Sequence, residues 1–531
     1  MKKMFLAVLI ITTAFITKAQ KVDFEKTYEV DAKARKGFLN EVTVNPNDKT
    51  TCLSFVTRAK GNFAGTKVKV NYQDYYFDAD YNFKELKEYE DVYKSKRYKA
   101  EKGEEYSIEG ITVMPNLMGD IVLRKKKVNY KWNWYYSRYY KTVELLDKVK
   151  PKDESGNKLT LLKSFDFDEK GEALALVRPR PTRDNPADVC ENYFLKVDQN
   201  LNFVKGEVIK HDVAMSLKAS FLIPHEGVEL EEGSNDISEA DICLIWAACS
   251  YYDEKKLGKN TDFEYWRVSN EGKLLKKAKF QVAGSDWSIE ELIAIDQSLY
   301  LIGPANVGKE LSTKVQVSAS SGVPKYKLYQ LAKITGDNVD YVTSTNMDEF
   351  EAKLKKPASQ KKNPAYSGKR FRFNKASVAA DGSLFICGQN LSGKGEYEDV
   401  LMFYFDNKGI LKAQYGVRLE EVNDASKTNS TSQFINYTKD YAYWTIWELM
   451  GFKEEAKGEK PKALVYPSIA KINLATGEIN DFVKIGSVKD KPTYFLQNDF
   501  PFLVNPADGS QIYLGLNKKG NMFWFGKVAF E

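Results

Sequence analysis

The sequence predicts an all-β protein in which short antiparallel meanders repeat around a ring, the architecture of a β-propeller. Tyrosine and phenylalanine, which favour strands, number 32 and 30 among the 531 residues. Helix-length amphipathic patterns are almost absent. One hairpin pattern, an apolar run, a turn rich in Asp, Gly and Asn, and a second apolar run, recurs eight times along the chain.

The second strand of each hairpin is short, apolar and rich in β-forming residues, as strands inside a sheet are. These eight strands cover residues 51–56, 120–123, 172–177, 241–246, 298–302, 383–387, 441–446 and 511–514. Most are followed by a second hairpin, with turns at residues 78–82, 198–200, 270–272, 336–338, 406–409 and 476–478. Four strands in roughly 50 to 85 residues make one propeller blade.

The two ends of the chain predict how the ring closes. The last unit offers three strands near residues 494–504, 511–516 and 522–530, and residues 24–30 form a lone strand without a unit of its own. Pairing that strand with the last three completes a blade and covers an exposed sheet edge. The prediction is a single propeller domain over residues 20–531 with eight blades. Seven blades are the alternative, because the unit at residues 105–150 has an irregular outer half.

The first 19 residues are typical of a cleavable signal peptide. Lys2 and Lys3 precede an apolar run at residues 4–16 and a small-residue cleavage site at residues 17–19. The apolar run is shorter than the roughly 20 residues of a membrane-spanning helix, and an uncleaved anchor is the alternative. We expect a Gram-negative protein that is exported to the periplasm or the outer membrane, with secretion less favoured and no transmembrane segment in the mature chain.

The net charge argues against one class of partner. Loss of Lys2, Lys3 and Lys18 with the signal peptide leaves 76 basic and 73 acidic side chains, a net charge near +3. Domains that bind nucleic acid usually carry a concentrated basic face. We therefore expect no nucleic-acid partner.

Three of the five cysteines are expected to be buried and structural. The odd number, five, leaves at least one unpaired in an oxidising compartment. Cys52, Cys243 and Cys387 lie in apolar strands, where buried thiols are expected. Cys243 and Cys249 are too far apart for a disulfide if both lie on one strand, whereas a bridge elsewhere cannot be assigned.

One segment near the C-terminus resembles a known repeat. Residues 505–521 place Asn-Pro-Ala-Asp-Gly before the apolar strand Gln-Ile-Tyr-Leu. They resemble the WD40-like repeat of the periplasmic Tol-system propeller, whose units carry a Pro-Asp-Gly turn before an apolar strand. Residues 45–48 are a weaker copy, and residues 380–382 lack the proline. The resemblance covers two or three units and implies a propeller fold, a periplasmic protein-binding role and no active-site residues.

No motif amounts to a catalytic or cofactor signature. Residues 303–309 have the spacing of a phosphate-binding loop, but Glu310 stands where Ser or Thr is needed, so an ordinary loop is favoured. A catalytic triad needs a histidine base, and His211 and His225 are the only histidines. The acidic stretch after His225 lacks the spacing of a calcium loop, so a solvated insertion is favoured over a cation site. We expect no cofactor and no metal.

The most distinctive local chemistry is a run of aromatic residues interleaved with cations at residues 124–141. Trp, Tyr and Arg are enriched at binding hot spots, so this segment is the first choice of contact surface for a partner or a glycan. A plain long hairpin with inward aromatics and solvated cations is nevertheless the favoured interpretation of the segment. The candidate binding residues are Trp132, Trp134, Tyr135, Tyr136, Arg138 and Tyr139.

A second charged segment begins with a helical pattern at residues 346–356, which Asn346 is placed to cap. It continues into a basic stretch ending at residue 372. A solvated insertion is favoured, and an anchor to acidic envelope lipid or polysaccharide is the alternative.

Taken together, these features predict an exported, non-catalytic propeller that serves as a protein-interaction scaffold or subunit in a cell-envelope complex. We expect a binding protein rather than an enzyme. The alternative is a propeller that binds or cleaves carbohydrate. A cluster of Asp, Glu, Arg and Trp at one mouth of the ring would favour that alternative.

Overall fold

The computed structural model describes residues 22–45, 47–61, 67–94, 106–133, 138–167, 170–180, 190–228, 234–248, 262–284, 287–295, 298–305, 326–336, 338–368, 371–419, 424–453, 462–489, 491–497, 499–504 and 510–528. Within these ranges most residues are in β-strands, and these form eight consecutive, almost wholly antiparallel sheets and one separate two-stranded hairpin. The fold is the predicted eight-bladed propeller.

The first half of the chain contributes a closing strand and four blades. The closing strand is β1 (Val22–Glu29), and α1 (Ala32–Arg35) follows it. Blade 1 contains β2 (Phe38–Val44), β3 (Thr51–Gly61), β4 (Lys67–Phe77) and β5 (Phe83–Lys94). Blade 2 contains β6 (Tyr106–Pro115), β7 (Ile121–Asn133) and β8 (Arg138–Val149). Blade 3 contains β9 (Leu159–Phe167), β10 (Glu172–Pro179), β11 (Glu191–Val197), β12 (Phe203–Lys205) and β13 (Ile209–Lys210). Blade 4 contains β14 (Met215–Pro224), β15 (Ala240–Ala248), β16 (Asp262–Val268) and β17 (Leu274–Gln281).

The second half contributes the other four blades. Blade 5 contains β18 (Glu291–Ile295), β19 (Ser298–Ala305), β20 (Leu328–Thr335) and β21 (Asn338–Asn346), and α2 (Met347–Ala352) follows it. Blade 6 contains β22 (Leu354–Lys355), β23 (Phe371–Val378), β24 (Leu384–Leu391), β25 (Tyr397–Phe405) and β26 (Leu411–Val417), followed by α3 (Asp424–Thr428). Blade 7 contains β27 (Ser432–Tyr437), β28 (Tyr441–Lys453), β29 (Lys462–Asn473) and β30 (Val483–Lys484). A small hairpin of β31 (Ser487–Val488) and β32 (Lys491–Pro492) precedes blade 8, which contains β33 (Tyr494–Leu496), β34 (Phe502–Val504), β35 (Gln511–Asn517) and β36 (Met522–Val528).

The predicted repeat and ring closure are confirmed. All eight predicted second strands are present, as β3, β7, β10, β15, β19, β24, β28 and β35. The closing strand β1 pairs antiparallel with β36, from Val22 opposite Val528 to Glu29 opposite Met522. The predicted helix is present as α2 but is shorter than its sequence pattern, ending at Ala352. None of the helices in the described ranges is long and apolar enough to span a membrane.

Side chains of Asp and Asn organise the turns between strands. In the β4–β5 turn, Asp78 Oδ1 accepts hydrogen bonds from the backbone N–H of Asp80 at 2.9 Å and of Asn82 at 2.8 Å. Asp198 makes the same two bonds in the β11–β12 turn. Such local bonds explain why Asp and Asn recur at hairpin turns in the sequence.

Apolar clusters lie between neighbouring blades. At seven of the eight boundaries such a cluster joins the two blades. For example, Phe55 and Phe77 of blade 1 pack on Phe523 and Phe525 of blade 8. Among the described residues, no apolar cluster joins blade 1 to blade 2. We call this boundary the seam, and it is where the candidate sites lie.

Candidate functional site

The seam is bordered by one face of blade 1. Phe55 packs on blade 8, and successive side chains of a strand point to opposite faces of its sheet. Ser54 therefore points away from blade 8, toward the seam. Cys52, Asp74 and Tyr76 lie on the same face, because Cys52 is opposite Tyr76 and Ser54 is opposite Asp74 in the β3–β4 register.

The opposite wall of the seam is a face of blade 2. Leu123 packs on blade 3. Val128 and Tyr130 are an odd number of positions from Leu123 on β7, so they point to the other face. On that face Tyr106 stacks on Tyr130, with ring centroids 4.6 Å apart.

The residues predicted from sequence lie at the far end of blade 2. The backbones of Trp132 and Tyr139 are opposite each other in the β7–β8 register, and Arg138 is opposite Asn133. Trp134, Tyr135 and Tyr136 lie outside the described residues, as do the side chains of Trp132, Arg138 and Tyr139. The predicted long hairpin exists, and the contact role of its aromatic residues stays a prediction.

Next to these residues, an apolar row crosses the seam face of blade 2. Ile108 is opposite Val128, and Val128 is opposite Val143. Ile108 and Val143 are 55% and 56% exposed. Leu145, opposite Lys126, extends the row and is also exposed. An exposed apolar row of this kind is typical of a contact surface.

In the part of the chain that the structure describes, blade 2 has three strands and no fourth, outermost one. The other blades have at least four strands, whereas β8 pairs with β7 and with no further strand in the described part of the chain. Residues 150–158 lead directly from β8 into β9 of the next blade. A long third strand is therefore left as the edge of the sheet, and an edge strand is a template for pairing with another chain.

The strands of blade 2 are strongly basic. Together β6, β7 and β8 carry eight Lys or Arg residues and three acidic residues. Lys125 pairs with Glu109 at 3.4 Å, which neutralises one of the cations. The blade as a whole favours an acidic partner.

A polar cavity of about 500 Å³ occupies the seam face of blade 1. Its walls combine carboxylates, hydroxyls, aromatic rings and one thiol. The lining residues are Glu41, Thr43, Val44, Asn45, Asp48, Thr50, Cys52, Ser54, Asp74, Tyr76, Lys84, Glu85 and Tyr89.

Asp74 is the chemically unusual residue of this cavity. Asp74 is only 6% exposed, and its Oδ1 atom accepts no hydrogen bond. Lys87 is opposite Asp74 in the register, but the Lys87 ammonium instead pairs with Glu85 at 2.8 Å. The sequence carries one hint of this site that our prediction missed, since a polar pair, Gln73 and Asp74, interrupts an aromatic strand.

The cysteine predictions need one correction. Cys190, Cys243 and Cys387 are buried, as expected for structural thiols, whereas Cys52 is half-buried and lines the cavity. Burial, followed by the negative charge of Asp74, raises the pKa of the Cys52 thiol to about 11. Because the thiolate is the reactive form, Cys52 is unsuited to nucleophilic catalysis at neutral pH. Cys249 lies outside the described residues.

The histidines occupy structural settings. His211 is buried between blades 3 and 4, where its Nδ1 atom is 2.7 Å from Oε2 of Glu264. His225 is 3.5 Å from Asp241, whose carboxylate also accepts a hydrogen bond from Arg267 at 2.7 Å. Neither histidine is hydrogen-bonded to a serine or cysteine nucleophile within the described residues.

The remaining sequence motifs are only partly described. The phosphate-loop-like stretch runs beyond Ala305 into residues outside the described ranges, and so does part of the acidic stretch after His225. Within those ranges, no three His, Cys, Asp or Glu side chains are placed to hold a metal ion together.

Comparisons with known proteins identify no family. No family model matches the sequence, and no curated protein is similar to it. Among solved structures, the chain is similar to a Synechocystis apocarotenoid oxygenase at 10% identity and a TM-score of 0.28, covering 78% of this chain and 88% of that one. It is also similar to the β-propeller domain of the Trilobed protease from Pyrococcus furiosus at 10% identity and a TM-score of 0.19, covering 86% and 97%. A putative 6-phosphogluconolactonase from Bacteroides uniformis matches at 9% identity and a TM-score of 0.25, covering 79% and 97%. Similarities this weak carry no inference about function.

Proposed function

We propose that this chain is an exported, non-catalytic β-propeller that binds a protein partner in the cell envelope through blade 2. The observation that carries the proposal is that, among the described strands, nothing pairs with the outer side of β8, which is a sheet edge beside exposed apolar side chains. An extended segment of a partner can add a strand to such an edge. Main-chain hydrogen bonds then supply affinity, and alternate side chains supply specificity.

The partner segment is defined by the chemistry of the blade. Ile108, Val143 and Leu145 form an exposed apolar row on one face, and the surrounding strands are basic. The complementary strand carries apolar residues at alternate positions and acidic residues near them. The predicted hairpin residues Trp132 and Tyr139 continue β7 and β8 beyond this row. The resemblance of residues 505–521 to the WD40-like repeat of the Tol-system propeller favours a periplasmic location for the interaction.

The described residues support the alternative function, binding or cleavage of carbohydrate, less well than they support binding of a protein partner. The alternative requires Asp, Glu, Arg and Trp clustered at one mouth of the ring. The cavity on blade 1 does gather acidic and tyrosine side chains, but neither Arg nor Trp is among its lining residues.

The test is affinity purification of the tagged protein from gently solubilised envelopes, comparing the wild type with two double variants. Val143→Lys with Leu145→Lys places charges on the apolar row, at exposed positions where the fold tolerates them. Val204→Lys with Leu275→Lys is the matched control, because these apolar residues are exposed on blades 3 and 4.

We expect the wild type and the control to retain the same stoichiometric envelope partner. The blade 2 variant should retain at least ten-fold less of it, since two buried charges in an interface core are costly. A wild-type protein recovered alone as a monomer contradicts the proposal. Equal recovery of the partner by both double variants contradicts the assignment to blade 2.

A further inference from the structure

We propose that the cavity on blade 1 binds a small organic cation, one carrying ammonium or guanidinium groups, with Asp74 as the principal counter-ion. The cavity volume of about 500 Å³ lies within the range of small-molecule sites. This site is separate from the β8 edge, since every lining residue belongs to blade 1 or to the turn between β2 and β3.

The charge of the lining selects a cation. Four carboxylates line the cavity, those of Glu41, Asp48, Asp74 and Glu85, and they outnumber two ammonium groups, that of Lys84 in the lining and that of Lys87, which pairs with Glu85. An anionic ligand would be repelled from such a site. Because no three acidic side chains in the described ranges converge on one point, the lining suits an organic cation with spread charge better than a metal ion.

The second observation is one unsatisfied oxygen, Oδ1, of the Asp74 carboxylate, which otherwise has the Tyr89 side chain as a hydrogen-bond partner. Asp74 is more than nine-tenths buried, it lines the cavity, and its Oδ1 atom has no hydrogen-bond donor. The nearest cation in the register, Lys87, is held by Glu85. A buried acceptor without a donor costs free energy, and a bound N–H group from a ligand would recover it.

Tyrosine rings supply the rest of the recognition. Tyr76 and Tyr89 line the cavity, and Tyr89 stacks on Tyr72 with ring centroids 5.1 Å apart. The ammonium of Lys87 already lies 4.6 Å from the ring centroid of Tyr76. Aromatic faces of this kind attract ammonium and guanidinium groups.

The spacing of the carboxylates favours a ligand with two cationic ends. Asp74 and Glu41 flank Ser54 in one cross-strand row, so their strands are about 10 Å apart. Asp74 and Glu85 are diagonal neighbours on β4 and β5, with Cβ atoms about 7–8 Å apart. A short chain with a cation at each end can reach two of these groups.

The test uses the mature protein and agmatine, which carries a guanidinium at one end and an ammonium at the other, in isothermal titration calorimetry. We expect saturable binding at a single site that weakens at higher salt concentration. Asp74→Asn, which is nearly isosteric, should weaken binding at least ten-fold. Glu41→Gln, at the exposed rim, should weaken it several-fold without affecting folding, and Glu271→Gln on blade 4 is the matched control.

A second readout locates the ligand. Cys52 lines the cavity, so bound agmatine should slow its alkylation by N-ethylmaleimide at least five-fold, as measured by mass spectrometry of the peptide that contains it. The proposal is overturned if agmatine fails to bind, if both acidic-site variants bind like Glu271→Gln, or if Cys52 is not protected. Tighter binding of neutral N-acetylglucosamine than of agmatine also overturns the proposal and would indicate that the cavity binds carbohydrate.

Discussion

The buried pair of His211 and Glu264 shows how a single polar contact is built into the boundary between two blades. The Glu264 carboxylate also accepts a hydrogen bond from Trp266 Nε1 at 3.0 Å and pairs with Lys277 at 3.3 Å. The imidazole stacks on Trp266, with ring centroids 4.4 Å apart. With several partners satisfying one buried carboxylate, the network holds blades 3 and 4 in a fixed geometry.

The protonation of His211 makes this boundary sensitive to acid. The pKa of His211 is lowered, mainly by burial. Glu264 acts in the opposite direction, whereas the nearby cations Lys277 and Arg178 lower the pKa further. The folded protein therefore keeps the imidazole neutral. As the pH falls below about 6.5, the unfolded chain binds a proton that the folded chain resists, so stability falls.

Replacing His211 with Asn tests this effect. The variant should lose about 1–3 kcal/mol at pH 7.5, because Glu264 loses a buried hydrogen bond. Its thermal midpoint should also fall less between pH 7.5 and pH 5.5 than that of the wild type. His225→Asn is measured alongside as a control for the loss of a histidine outside this network. A His211→Asn protein with an unchanged slope would contradict the assignment.

At the scale of single elements, the β4–β5 turn shows which of its aspartate side chains stabilises the turn. Asp78 closes the β4–β5 turn through two backbone N–H groups, and its Oδ2 atom also accepts a bond from Asn82 Nδ2 at 3.0 Å. Asp80, two residues later, uses only its backbone in this turn, donating to Asp78 and accepting from Lys26. Two aspartates in the same turn are therefore expected to contribute differently to its stability.

Replacing Asp78 with Ala should lower the free energy of unfolding by roughly 1 kcal/mol, since the turn loses its side-chain acceptor. Asp80→Ala should change it by less than about 0.5 kcal/mol, as is usual for exposed positions. Urea titration of both variants checks the difference. Equal losses would mean that the backbone, rather than the Asp78 carboxylate, holds the turn.

At the scale of the whole molecule, the ring is closed by its first strand. Tyr28 of β1 packs against Phe77 of blade 1 and Phe525 of blade 8, and its hydroxyl donates to the Tyr81 carbonyl at 2.7 Å. Glu25 of the same strand accepts a hydrogen bond from the backbone N–H of Gly486 at 2.7 Å. The closing strand therefore links blades 1 and 8 and the segment after blade 7.

Tyr28→Ala should cost about 2 kcal/mol, less than for a fully buried ring because Tyr28 is only partly buried. Thr27→Ala, on the exposed face of the same strand, is the control and should stay within about 0.5 kcal/mol of the wild type. The two free energies of unfolding are compared by urea titration. Similar losses in both variants would indicate that backbone pairing of β1, and not packing of the Tyr28 aromatic side chain, holds the propeller closed.

The strand positions could be predicted because their signals are local. Side-chain alternation and turn chemistry act over a few residues, so the eight hairpins and the closing strand were identifiable from sequence. The same reasoning placed the irregular unit at residues 105–150, which is the three-stranded blade 2. The candidate contact segment at Trp132 and Tyr139 was likewise visible as a local excess of aromatic and basic residues.

The positions of the candidate sites could not be predicted from the sequence, because they depend on strand register and on how neighbouring sheets pack. Glu41, Cys52 and Asp74 lie on three successive strands of blade 1, and only the register of these strands makes them neighbours. Whether their face is buried or open depends on the packing of blades 1 and 2. The sequence by itself thus determined the position of the repeated hairpins and the strand that closes the ring, because these follow from local periodicity, whereas it left the blade number open between eight and seven. Only the tertiary structure decided that no apolar cluster of the described residues joins blades 1 and 2 and that Asp74 Oδ1 is buried without a hydrogen-bond donor, because burial is set by packing that no single segment encodes.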